Sequence, residues 1–417
     1  MSTAELCPVP TSVAPSTGAT SVLRNQSLAL AIGLALLIGL AAAVWKATGG
    51  NLRFTALALV GALIGLVLYR ASYGFAGGFR AFVETRDGTM FRAHVLMLAT
   101  MSAIALPLLS LGELAGLRLV GVVTPVGYAF VLGAFIFGIG MQLGGGCASG
   151  TLFGLGGGNL RLLATLAGFV GGSTLAASQM DFWWSLPKLE AYTLLQNMTL
   201  PRALVVQALS LLAFYGLIRL ISRKTRDETP RSFLPATRRS AWSGPWSLAL
   251  GAVALGLLNV AVLMLSGQPW GEAPAFALWG SKLVASYGVD VLWWDYWARP
   301  GFDRQIEQSV LLDSVSVVNI AIVIGALIAA ASAGQFRLKG ERDWRRWVAA
   351  LLGGLVMGYG ARLTNGCNIG AYFSGIGTGA LSGWVWLALA LAGSYVGVKL
   401  RPVFGLTALK PRSEPAC

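Results

Sequence analysis

Acidic residues are scarce in this chain: its 417 residues hold 17 Asp and Glu against 31 Lys and Arg. Asp and Glu are nearly absent from the apolar runs, so no carboxylate proton relay is visible. There is a single histidine, His94, near a helix start beside a basic loop, where an interfacial or helix-end role is expected. Cys147 and Cys367 have no His or carboxylate neighbours in sequence, so no zinc or haem site is expected and no cofactor is called for. The glycine cluster at 154–158 follows no strand and is read as helix-break backbone, not as a nucleotide loop. Residues 1–27 lack an apolar core ahead of a small-residue cleavage site and are read as a disordered tail, not a signal peptide. Cys7 and Cys417 fall in the two tails and are expected to be uninvolved.

What the chain has in abundance is apolar surface. Hydrophobic residues make up 55% of it and charged residues 12%, with a mean hydropathy of +0.68, which excludes a soluble domain of this size. Crossing a bilayer as a helix takes roughly 20 apolar residues. Runs approaching that length lie near 28–44, 54–69, 93–109, 125–141, 160–177, 201–219, 247–265, 310–333, 347–361 and 381–399. The expected fold is an all-α polytopic membrane protein of about ten helices in two inverted repeats with re-entrant Gly/Cys loops.

The net charge of +14 does not point to nucleic acid, because the cations fall in particular loops. Arg70, Arg80, Arg86 and Arg92 form one group, and the stretch from Arg219 to Arg239 a second. Arg337, Lys339, Arg342, Arg345 and Arg346 form a third, with Lys399, Arg401, Lys410 and Arg412 at the end. Threading ten helices puts all four groups on one side, the cytoplasm by the positive-inside bias, with both termini there. The opposite segments hold Trp183, Trp184, Trp270, Trp293, Trp294 and Trp297, as an outer interfacial belt would.

The chain contains one motif twice. GIGMQLGGGCASGTLFGLGGG around Cys147 aligns without a gap with GYGARLTNGCNIGAYFSGIGT around Cys367. In each copy an apolar helix breaks at a Gly-rich turn holding a thiol and then resumes, as broken segments lining a transport path do. The threading divides the chain into a tail (1–27), an extra helix (28–53), a first repeat (54–177), a linker with a crossing helix and a basic loop (178–246), a second repeat of opposite orientation (247–399) and a cytoplasmic tail (400–417). Each repeat also has an odd Gly-rich or short stretch after its first helix, at 70–79 and at 266–289, suited to a re-entrant half-helix.

Cys147 and Cys367 are expected near helix starts, where backbone N–H groups lack partners and attract anions. A thiol adds a weak S–H donor and a polarizable surface, which suits an anion carrying sulfur. Gly146, Gly366, Asn365, Asn368, Gln142 and Arg362 complete the candidate path. Gln142 and Arg362 are equivalent positions, and Arg362 either faces the path to attract a dianion or reaches the interface as a helix-end arginine. Asn159 and Arg161 lie close by in sequence. A disulfide between Cys147 and Cys367 is the minor option.

These paired motifs and the halves around them resemble the YeeE/YedE family of bacterial inner-membrane proteins. The resemblance covers the chain from about residue 50 and implies passage of thiosulfate along a narrow path through S–H contacts at Cys147 and Cys367. The family's thiosulfate members carry a third cysteine in the first re-entrant segment. The matching stretch from Tyr73 to Phe79 has none, and the long connection 266–309 is more like the YedE branch, associated with selenium or sulfur metabolism. The resemblance also implies a small cytoplasmic sulfur carrier of the TusA type as a partner.

The resulting expectation is a non-enzymatic importer or channel for thiosulfate or a related sulfur or selenium anion. Two rivals stand beside it: a membrane-embedded sulfurtransferase using a cysteine persulfide, and a docking protein for a sulfur carrier. The first would need a base or cation beside the thiol, and in the sequence only Arg362 offers itself.

Overall fold

Inside hydrocarbon a chain must satisfy its backbone polar groups internally, and apolar runs of this length do so as helices. The computed structural model describes residues 19–222, 245–299 and 301–406. Cys7, Cys417 and the basic stretch Arg223 to Arg239 lie outside those residues. The first half of the chain contains α1 (Ala19–Ala47), α2 (Leu52–Arg70), α3 (Phe75–Thr85), α4 (Thr89–Leu111), α5 (Tyr128–Leu143), α6 (Ala148–Gly156) and α7 (Arg161–Ala177). Two short helices, α8 (Met180–Ser185) and α9 (Leu194–Asn197), lead to α10 (Leu200–Ile221). The second half contains α11 (Leu248–Ser266), α12 (Ala273–Ser286), α13 (Asp303–Glu307), α14 (Ser314–Ser332) and α15 (Trp344–Leu363). A π-helical turn, Asn368–Phe373, then runs into α16 (Ser374–Gly377), and α17 (Leu381–Leu400) follows. The one sheet among the described residues is the small pairing of Glu113–Leu114 with Leu117–Arg118.

Among the described residues, nine helical stretches are long and apolar enough to cross a membrane, and α7 is a shorter apolar helix. Together they account for the ten runs, and the chain is an all-α multi-pass membrane protein. One boundary differs from the sequence expectation. α1 begins at Ala19, inside the stretch read as tail, and Gln26 ties this polar first part down by donating to the Phe336 carbonyl at 2.7 Å and accepting from the Phe336 N–H at 3.2 Å.

The packing of the two halves is reciprocal. α2 lies against α14 as α11 lies against α4, α5 against α17 as α15 against α7, and α3 against α17 as α12 against α7. α5 and α15 meet each other directly, as do α2 and α11. Glycine permits close contact between these helices. A Cβ built on Gly354 of α15 would stand 2.1 Å from the Thr165 carbonyl oxygen of α7, and one on Gly358 would stand 2.1 Å from that of Phe169, so the two backbones touch as small-residue helix interfaces in membranes do.

The stretches read as re-entrant are short helices. After α2 the chain turns through Ser72, which has a left-handed φ of 48°, into the 11-residue α3. After α11 it turns through Gly267, φ 79°, into the 14-residue α12 with a proline in its first turn, where the missing N–H costs nothing. Two of the tryptophans assigned to an outer belt lie inside the protein. Trp270 and Trp297 are buried, and the Trp297 indole donates to Ser281 Oγ at 2.9 Å. Trp293 remains exposed.

Candidate functional site

Both repeated cysteines cap a broken helix. Cys147 is the N-cap of α6 with extended backbone, and Cys367 occupies the same place before the π-helical turn. The turn that delivers them is also repeated, because Gly145 (φ 80°) and the equivalent Asn365 (φ 53°) both adopt the left-handed conformation that Gly and Asn tolerate best. Gly366 fits because a Cβ there would lie 2.5 Å from the Ala371 nitrogen, and Gly146 is nearly as tight at 3.1 Å from the Gly150 carbonyl carbon. The thiols are buried and free, so the disulfide option falls away.

Around the thiols stand donors of several helix starts. The Cys147 sulfur faces the backbone N–H groups of Gly150 and of Ala76 at the start of α3, and lies 3.2 Å from Ser149 Oγ. Cys367 Sγ accepts from the Ile369 N–H at 3.4 Å and faces that of Gly370. The start of α12 closes on the same place, with Gly271 and Gly370 so near that a Cβ on either would touch the other's Cα at 3.6 Å. Helix starts carry partial positive charge, and several pointing at one spot make a cradle for an anion.

The N-cap residue of α12 is a group absent from the sequence expectation. Glu272 is buried between the two thiol loops. The Cys367 thiol donates to its Oε2 at 3.6 Å, the Ser149 N–H of the other loop faces it, and Oε1 has no partner. No carboxylate relay is visible in the sequence because Asp and Glu are nearly absent from the apolar runs, and Glu272 lies outside them. Glu272 lies in the connection between α11 and α14, and the packing of α12 carries it to the thiol loops.

The remaining candidates divide. Asn368 donates to Met141 Sδ at 3.7 Å across the two loops. Gln142 donates weakly to the Ala76 carbonyl at 3.4 Å, while its own carbonyl accepts from Arg401 at 2.6 Å. Arg362 is buried, in the last turn of α15. It donates to the Tyr296 hydroxyl at 2.6 Å and to Asn365 Oδ1 at 2.7 Å, and its guanidinium lies 4.4 Å from the centre of the Tyr296 ring. Arg362 and Asn365 line a vestibule of about 380 Å³ together with Arg299, Lys188, Trp183 and Trp184. Asn159 and Arg161 stand apart from them, on a basic cavity of about 260 Å³ with Lys339 and Arg346.

His94 is a correction to the sequence expectation. It is buried within an aromatic cluster, stacked on Phe75 with ring centres 4.7 Å apart and lying 3.3 Å from the Tyr372 hydroxyl. Its neighbours come from three separate segments, which is why its place beside a basic loop suggested the interface.

Comparison with known proteins agrees with this architecture. A thiosulfate transporter, TsuA, of Spirochaeta thermophila is 28% identical over 365 residues, covering 81% of this chain and 96% of that protein. The TsuA of Escherichia coli is 24% identical over 352 residues, or 82% and 94% of the two chains. A probable transporter, YedE, of Salmonella typhimurium is 29% identical over 161 residues, and that match spans only 39% of its length. The family model for sulphur transport matches residues 70–396, a stretch that takes in both thiol loops. The chain therefore belongs to the sulphur transport family.

Proposed function

We propose that this protein imports thiosulfate, or a related sulfur or selenium anion, across the bacterial inner membrane, along a path that passes Cys147 and Cys367. The observation that carries this reading is the meeting of two repeated, buried, unpaired thiols with the N–H-bearing starts of α3, α6 and α12 and of the π-helical turn. Such a place attracts negative charge through backbone dipoles and contacts sulfur through soft S–H groups. The two thiosulfate transporters among its relatives support the substrate class.

On this reading the vestibule at Arg362 collects the anion, because Arg362, Arg299 and Lys188 give it positive walls. The anion then passes Asn365 and Gly366 to Cys367, crosses to Cys147 and Gly146 beside Gln142 and Asn368, and leaves toward the basic cavity at Arg161. The halves are inverted relative to the membrane, with the vestibule outside and the termini and basic loops in the cytoplasm. The reciprocal packing of the halves and the placement of the cations support this arrangement. The basic inner face would receive a sulfur carrier of the TusA type.

The sulfurtransferase reading gains one observation. Glu272 at 3.6 Å from Cys367 is a base that such an enzyme would need. Radiolabelled uptake by purified protein in liposomes, with mass spectrometry of the thiols afterwards, separates the two. Transport predicts accumulated label and unmodified cysteines, whereas a stoichiometric persulfide on Cys367 without accumulation favours the enzyme.

A further inference from the structure

Among the described residues Glu272 is the one carboxylate that the fold brings between the two thiol loops, and its setting is unusual for a charged group. It is buried, one oxygen is unpartnered, and its polar neighbours there are a thiol and a backbone N–H. From α14, Asn319 donates to its main-chain carbonyl at 3.0 Å and not to the carboxyl. The titratable groups that face it are Cys367 from the π-turn loop and Cys147 from the α6 loop. The ion pairs among the described residues, Arg346 with Glu341 and Asp343, lie elsewhere. An ionised carboxylate left this way loses its hydration without a compensating cation. It would also repel the anion that the surrounding helix starts attract.

We propose that Glu272 is the proton carrier of the path, so that each anion crosses together with a proton. This rests on the transport reading above. As the neutral acid, Glu272 turns its O–H toward the anion through the free oxygen, and the cradle accepts negative charge. When the proton departs to the side of release, the carboxylate that remains expels the anion in the same direction. The proton is bound on the side from which the anion arrives, so no electron moves and no covalent bond other than O–H is made or broken. A dianion entering a cell moves against the interior-negative potential, and an accompanying proton removes one of the charges that has to be moved.

The test uses the full chain in liposomes with a pH-sensitive dye in the lumen and the potential clamped by potassium and valinomycin. Radiolabelled thiosulfate added outside should acidify the lumen of wild-type vesicles, and its uptake should rise when the outside is made more acidic. Glu272→Gln keeps the shape and a neutral side chain but exchanges no proton, so its uptake should lose both the acidification and the response to the gradient. Glu272→Asp should restore both, at a reduced rate. Wild-type uptake with no proton movement overturns the proposal alone, and does so even if Glu272→Gln fails to fold. Acidification that persists in a folded Glu272→Gln variant overturns it as well. A wild type that takes up no thiosulfate removes the transport reading for that anion and the proposal with it.

Discussion

At the scale of single residues, Cys147 and Cys367 stand where a helix ordinarily carries Ser, Thr, Asp or Asn. An oxygen there would bind the first N–H groups tightly, whereas sulfur is a weak acceptor and leaves them more available to a ligand. Cys147→Ala and Cys367→Ala are each expected to abolish thiosulfate uptake while leaving yield and elution in detergent unchanged. Cys→Ser should be nearly as damaging, because the hydroxyl is harder and competes for the N–H donors. Full uptake in both alanine variants would refute the thiol path. Arg362→Gln installs the residue found at the equivalent place in the first copy. A charged hydrogen bond contributes about 1.5–3 kcal/mol, so the half-saturating concentration should rise roughly tenfold or more if Arg362 meets the anion. An unchanged value would leave Arg362 the structural partner of Tyr296 and Asn365. The cysteines and their glycines were legible because the chain repeats them, and Asn365 because it stands in the second copy of that motif. Glu272 and His94 were not, since neither has a counterpart in the other copy and each owes its burial to partners distant in sequence.

At the scale of elements, α7 and α15 meet backbone to backbone through glycine. Gly354→Ala would place a methyl group against the Thr165 carbonyl, and the backbones would have to separate. Overpacking of this kind costs typically about 1–3 kcal/mol, so the midpoint of thermal unfolding in detergent should fall by several degrees. Gly171, whose added Cβ meets nothing within 4 Å, is the control, and Gly171→Ala should leave the midpoint within error. Equal midpoints for both variants would mean that α7 and α15 do not pack as closely as described. The ten helices could be located from apolar length alone, because nothing else in the chain competes for the bilayer. The re-entrant stretches were marked only by what interrupts them, the Gly-rich 70–79 and the Pro-containing 266–271. Their helical bounds follow from tertiary packing that periodicity does not reveal. The polar start of α1 escaped notice for a related reason, its anchor being the pair of hydrogen bonds between Gln26 and Phe336.

At the scale of the whole molecule, the proposed path requires that the two thiol loops approach from opposite sides of the membrane. Ser185 and Gly340 are both exposed, the first beside Trp183 and Trp184 and the second among Lys339, Arg342, Arg345 and Arg346. In intact cells carrying a cysteine-free background, Ser185→Cys should react with a membrane-impermeant thiol reagent, and Gly340→Cys should react only after the membrane is opened. Reaction of both in intact cells would mean that the halves are parallel, and the transfer from Cys367 to Cys147 would have to be abandoned. Whether this molecule carries a sulfur anion past its two thiols is decided by uptake of radiolabelled thiosulfate into liposomes holding the purified wild type, Cys147→Ala or Cys367→Ala. The wild type should show accumulation that saturates with concentration, with sulfate competing poorly, and both variants should stay at background. Accumulation in the variants equal to that of the wild type would contradict a path past the thiols.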